Sequence, residues 1–167
     1  NPLFGALTLA AVYFLAFEIA GATMAKIAVI LALVSPSNVF MSSEYMNHTT
    51  CMFFLLLFMY FYIRLLKTGL KRYGLYAGMA AGYALLIRVQ AAVPFVFPVA
   101  LHALFYLYRQ PRRYTLPLGA VWLGATPFVL FLMYFNYVTN GSPWVTGYEK
   151  FNGHFAHFSD RFQHLKA

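Results

Sequence analysis

Met52-Phe53-Phe54-Leu55-Leu56-Leu57-Phe58-Met59-Tyr60-Phe61-Tyr62-Ile63-Arg64-Leu65-Leu66-Lys67 decides the fold class. Read outward from this stretch, the apolar run extends from about residue 45 to residue 66. That is about the 20 residues a helix needs to cross a hydrocarbon core roughly 30 Å thick. The run lacks the apolar–polar alternation of a membrane β-strand. Five further runs flank it: 3–17, 22–41, 73–88, 91–108 and 114–138. Glu18 and a turn at Gly21 end the first run, and the second carries Lys26 near its start and Pro36 near its end. Arg88 and Gln90 divide the fourth run from the fifth. Read as one helix, those two would reach about 50 Å, too long for a single span. The expected fold is an all-α polytopic membrane bundle of about six transmembrane helices over residues 1–138. An aromatic-rich outer-face segment over 139–167 follows it.

Composition agrees. The chain of 167 residues is 62% hydrophobic, 20% aromatic and 10% charged, against about 45–50% apolar and about 25% charged in soluble domains. A core of this size cannot hide that much apolar surface, and a disordered chain would not carry it. The formal net charge of +8 would suggest nucleic acid in a soluble protein. Here the cations sit in short clusters between apolar runs, so membrane topology accounts for them and no nucleic-acid partner is expected. Cys51 is the single cysteine, which excludes a disulfide framework or a cysteine-based metal site within the chain.

Charge also orients the bundle. In the short loops Lys26, then Arg64, Lys67, Lys71 and Arg72, then Arg109, Arg112 and Arg113 follow the first, third and fifth runs, whereas Arg88 alone stands in the short loops at the opposite ends. Basic loops face the cytoplasm, and they also suit anionic lipid. Asn1, the segment 35–48 and the tail after Thr139 are then outside. No initiator Met or basic leader precedes the first run, so the chain reads as the middle of a longer protein.

Unusual residues gather on the outer side. Glu44 and His48 stand four apart and share a face if helical. They suit proton transfer, a metal completed from elsewhere, or a substrate hydroxyl. The alternative is an interfacial helix start, with Ser42, Ser43 and Asn47 as caps and Glu44 at the positive helix end. Arg88 closes an apolar run on the side that basic residues avoid. It is either a phosphate-binding guanidinium or an interfacial arginine that snorkels to water. Gly74, Gly78 and Gly82 form a small-residue face for close helix packing. His102 reads as a packed or hydrogen-bonded histidine, and Pro94, Pro98, Pro117 and Pro127 as tolerated bends. In the tail, Asn140-Gly141-Ser142-Pro143 is turn chemistry. Tyr148, Glu149 and His154 suit a carbohydrate or headgroup site, and the two-residue gap between His154 and His157 is a weak zinc hint. No metal is otherwise indicated, although a divalent ion is compatible, and no other cofactor is expected.

Asn1-Pro2-Leu3-Phe4-Gly5-Ala6-Leu7-Thr8, Ser35-Pro36 with Phe40 through His48, the glycine-rich span ending Ile87-Arg88, and Asn136-Tyr137 through Gly147-Tyr148-Glu149 resemble the middle of bacterial GT-C glycosyltransferases. These are relatives of the protein O-mannosyltransferases and the lipid A aminoarabinose transferase. The resemblance implies an integral protein, in a bacterial inner membrane, that moves a sugar from a polyprenyl-phosphate donor to a lipid, glycan or protein acceptor on the outer face. It also implies a catalytic acidic residue in an outer loop upstream of Asn1. Arg88 is followed by Val89 where the family more often has proline. The competing classes are a transporter or lipid flippase, which would show inverted repeats and midplane ionisable groups, and a non-catalytic membrane subunit. No internal repeat is visible.

Overall fold

The computed structural model describes residues 2–43 and 47–147. Among these the chain forms six helices and no strand: α1 (Pro2–Val34), α2 (Pro36–Ser43), α3 (His48–Thr68), α4 (Lys71–Ile87), α5 (Val89–Arg109) and α6 (Pro111–Asn140). It divides into two units, residues 1–128 and 129–167.

Four of the helices, Pro2–Val34, His48–Thr68, Val89–Arg109 and Pro111–Asn140, are long and apolar enough to cross a membrane. Where six such helices were expected, four qualify by length and composition among the described residues. The first two runs lie largely within one helical element, α1, which breaks at Gly21 (φ 82, ψ −178). The fourth run gives α4, whose 17 residues reach about 25 Å, the short end of what a span needs.

The break at Gly21 reverses the chain. Thr8 and Ala32 line one cavity, yet in a straight helix their 24-residue separation would place them about 36 Å apart. The arms before and after Gly21 therefore fold back on each other. Only glycine enters this backbone region without strain.

α3 and α4 form the centre of the first unit. Phe58, Tyr62 and Leu65 from α3 and Ala77, Ala80 and Ala81 from α4 make one buried cluster with Tyr114 and Leu118 of α6. The glycine face of α4 explains how closely α6 approaches. A Cβ at Gly74 would run into the Pro117 carbonyl, one at Gly78 into the Val121 carbonyl, and one at Gly82 would come within 2.9 Å of Phe128. Small residues thus let two backbones touch, as packing between helices in lipid requires. His102 of α5 shares a 2.8 Å hydrogen bond with the Tyr62 hydroxyl of α3, as its position on an apolar helix suggested. Pro94, Pro98, Pro117 and Pro127 lie inside α5 and α6 without ending them.

The second unit is described up to residue 147. The end of α6 is closed by Gly141, whose N–H bonds the Tyr137 carbonyl at 3.0 Å. Asn136 donates to the Pro143 carbonyl and Asn140 to that of Val145, so Asn140 through Pro143 form the expected turn.

Candidate functional site

Arg88 is the single residue between α4 and α5. Its backbone is extended (φ −154, ψ 93), which stops one helix and starts the next. The backbone is nonetheless fully engaged: its N–H bonds the Ala84 carbonyl at 3.0 Å, and its carbonyl accepts from Ala91 and Ala92. With the main chain so fixed, the side chain reaches α3, where Nη1 donates to the unprotonated ring nitrogen of His48 and lies 2.9 Å from Nε2.

His48 is the first residue of α3. One turn further on, the Cys51 thiol lies 3.9 Å from the Ala84 carbonyl, within a buried cluster of Cys51, Leu55, Ala84 and Ala92. This cluster holds the start of α3 against the end of α4, so the imidazole and guanidinium meet by construction. Thr49 donates to the Met41 carbonyl at 2.8 Å, which ties the same turn of α3 to the end of α2.

A cavity of about 150 Å³ adjoins this junction. Thr8 and Val12 of the first α1 arm, Ala32 of the second, Met41, His48 and Thr49 contribute to its walls. The Thr8 hydroxyl is turned back onto the Phe4 carbonyl at 2.7 Å, and that of Thr49 onto Met41. Both threonines thereby spend their donors on backbone. His48 is left as the ionisable side chain among the described residues of the wall.

The charge balance here differs from that at the opposite end of the bundle. There Glu18 pairs with Arg64 at 2.6 Å and with Lys67 at 3.2 Å, Lys67 also reaches the Glu18 carbonyl, and Arg64 donates to the Tyr73 hydroxyl at 3.1 Å. Arg88 has no ion-pair partner among the described residues. A nitrogen of His48 that accepts from a guanidinium carries no proton, so the bond orients Arg88 without cancelling its charge. The result is a positioned cation whose partner, His48, lines the cavity.

Of the six candidate binding residues in the sequence, Arg88 and His48 are brought together. Glu44, Tyr148, Glu149 and His154 lie outside the described residues, as does His157. Among the described residues no three His, Cys, Asp or Glu side chains are grouped to hold a metal. Glu18 was read only as the end of an apolar run; the structure makes it the carboxylate that joins α1 to α3. Its signal was a lone acid in a chain with 4 acidic and 12 basic residues.

The family described as dolichyl-phosphate-mannose-protein mannosyltransferase matches residues 1–137. No curated protein and no solved structure matches the chain.

Proposed function

Because the chain belongs to the dolichyl-phosphate-mannose-protein mannosyltransferase family, a family of membrane glycosyltransferases of the GT-C type, we propose that it binds a polyprenyl-phosphate sugar and serves its transfer to an acceptor on the outer face of a bacterial inner membrane. The observation that carries this reading is the Arg88–His48 pair. A lipid-phosphate donor needs a cation for its phosphate at the membrane boundary, and a guanidinium meets two phosphate oxygens at once. No carboxylate among the described residues matches Arg88, whereas Arg64 is already matched by Glu18.

The reading orients the bundle. The basic turns after α3 and α5 face the cytoplasm, and the junction of Arg88 and His48 faces outward. In this orientation Arg88 takes the donor phosphate and the sugar lies on the aqueous side of it.

Binding of a polyprenyl-phosphate sugar to the purified protein in nanodiscs tests the proposal. Arg88→Ala is expected to weaken binding by about 1.5–3 kcal/mol, the range for a hydrogen bond to a charged group, or roughly 10–150-fold. Unchanged affinity in a folded Arg88→Ala variant overturns the assignment. A panel of donors carrying different sugars then identifies which one is consumed.

A further inference from the structure

The opposite end of the first unit carries more positive charge than its own acid can match. Glu18 is taken up by Arg64 and Lys67. Lys71 and Arg72 after α3, and Arg109, Arg112 and Arg113 around the start of α6, are exposed and have no ion pair among the described residues.

The two turns are neighbours. A Cβ placed on Gly69, at the end of α3, would lie 3.8 Å from Arg113 Nε. The Tyr114 hydroxyl donates to the Leu66 carbonyl at 3.1 Å. Cations from both turns therefore share one surface.

Their guanidinium groups are arranged alike. Arg72 Cζ sits 5.1 Å from the Tyr73 ring centroid, Arg109 Cζ 4.8 Å from Phe105, and Arg113 Cζ 5.4 Å from Tyr114. Each guanidinium thus lies within cation–π range of an aromatic ring, which holds it at the surface, and a guanidinium is the side chain best suited to grip phosphate. Around them stand exposed apolar side chains, Leu70, Phe105, Tyr108 and Leu116. A free anion makes no use of such a rim. An anion carrying hydrocarbon does.

We propose that the α3–α4 and α5–α6 turns together bind the headgroup of an anionic phospholipid from the surrounding leaflet, with Arg72 and Arg113 on its phosphate and the apolar rim along its chains. This site is separate from Arg88 and stands or falls independently of the donor reading.

Native mass spectrometry of the protein released from nanodiscs of equal phosphatidylglycerol and phosphatidylcholine tests it. Phosphatidylglycerol is expected to be retained in preference. The double variant Arg72→Gln, Arg113→Gln should lower that retention by about tenfold or more, the size expected for two lost cations at an anionic surface. Lys26→Gln, on an exposed lysine outside both turns, should leave it unchanged. Equal retention of the two lipids overturns the proposal. So does a double variant that behaves like Lys26→Gln. Release of the lipid by millimolar inorganic phosphate would also overturn it, because the site would then be one for soluble anions.

Discussion

Arg88 and His48, 40 residues apart in the chain, meet at the junction of α3, α4 and α5 through a hydrogen bond from guanidinium to imidazole. The bond gives the cation a direction and leaves its charge intact. In the proposed function Arg88 touches the donor phosphate and His48 is a positioning residue.

That division of roles predicts unequal and non-additive effects. His48→Ala should weaken donor binding by about 0.5–1.5 kcal/mol, the net value of a hydrogen bond. His48→Gln, which keeps an acceptor, should recover much of the loss. In an Arg88→Ala background the His48 substitution should cost nothing further, since residues of one network couple. Isothermal binding measurements on the four proteins check this.

Accessibility separates the two ends of the bundle. In a Cys51→Ala background, cysteines introduced beside Lys71 or Arg112 should resist an impermeant maleimide added outside intact cells and react after permeabilisation. Labelling of either position from outside would refute the proposed orientation.

Gly78 and Gly119 should respond to alanine with opposite sign. At Gly78 a Cβ meets the Val121 backbone, which cannot step aside, so Gly78→Ala should destabilise by about 1–3 kcal/mol as overpacking does. Around Gly119 nothing lies within 4 Å of the added atom, and Gly119→Ala should be neutral or stabilise by up to about 1 kcal/mol. Unfolding in mixed detergent micelles reads both.

Gly21 is a different case, because the space around it is open and only its backbone is demanding. Gly21→Ala should cost about 1–3 kcal/mol from the φ of 82 alone, as expected for a conformation that side chains avoid. Larger residues at the position should cost little more than alanine does, and the same unfolding assay tells them apart.

Removing the Tyr62 hydroxyl takes away the bond to His102. Tyr62→Phe should destabilise by about 0.6 kcal/mol and by no more than about 1.7, the span of hydrogen bonds between helices in membranes. A larger loss would mean that the pair organises more of α5 than its own contact.

Helix boundaries were legible wherever charge or glycine interrupted an apolar run: Arg64 and Lys67 before Gly69, Arg88 between α4 and α5, and Arg109 at the close of α5. The packing face of Gly74, Gly78 and Gly82 was legible too, since residues four apart share a side of a helix. The number of spans was not. Apolarity reports that a segment avoids water, and both lipid and neighbouring protein satisfy that condition. α4 avoids water largely within protein: Gly74, Ala77, Gly78, Ala80, Ala81, Gly82 and Ala84 are all buried. Neither the pairing of Arg88 with His48 nor that of Glu18 with Arg64 follows from local spacing, because each joins positions at least 40 apart. Those contacts exist only once α3 has been laid against α1 and α4.

The buried face of α4 is made of glycine and alanine alone, and such residues have no rotamers to freeze. Docking α4 between its neighbours therefore forfeits almost no side-chain entropy, whereas a leucine face would lose about 0.5–1 kcal/mol per residue. The same lack of rotamers makes the interface stiff, for it offers no alternative set of side-chain positions into which α4 could slide or rotate. Arg88 is mounted at the end of this helix, so its height above the bundle is set by backbone against backbone.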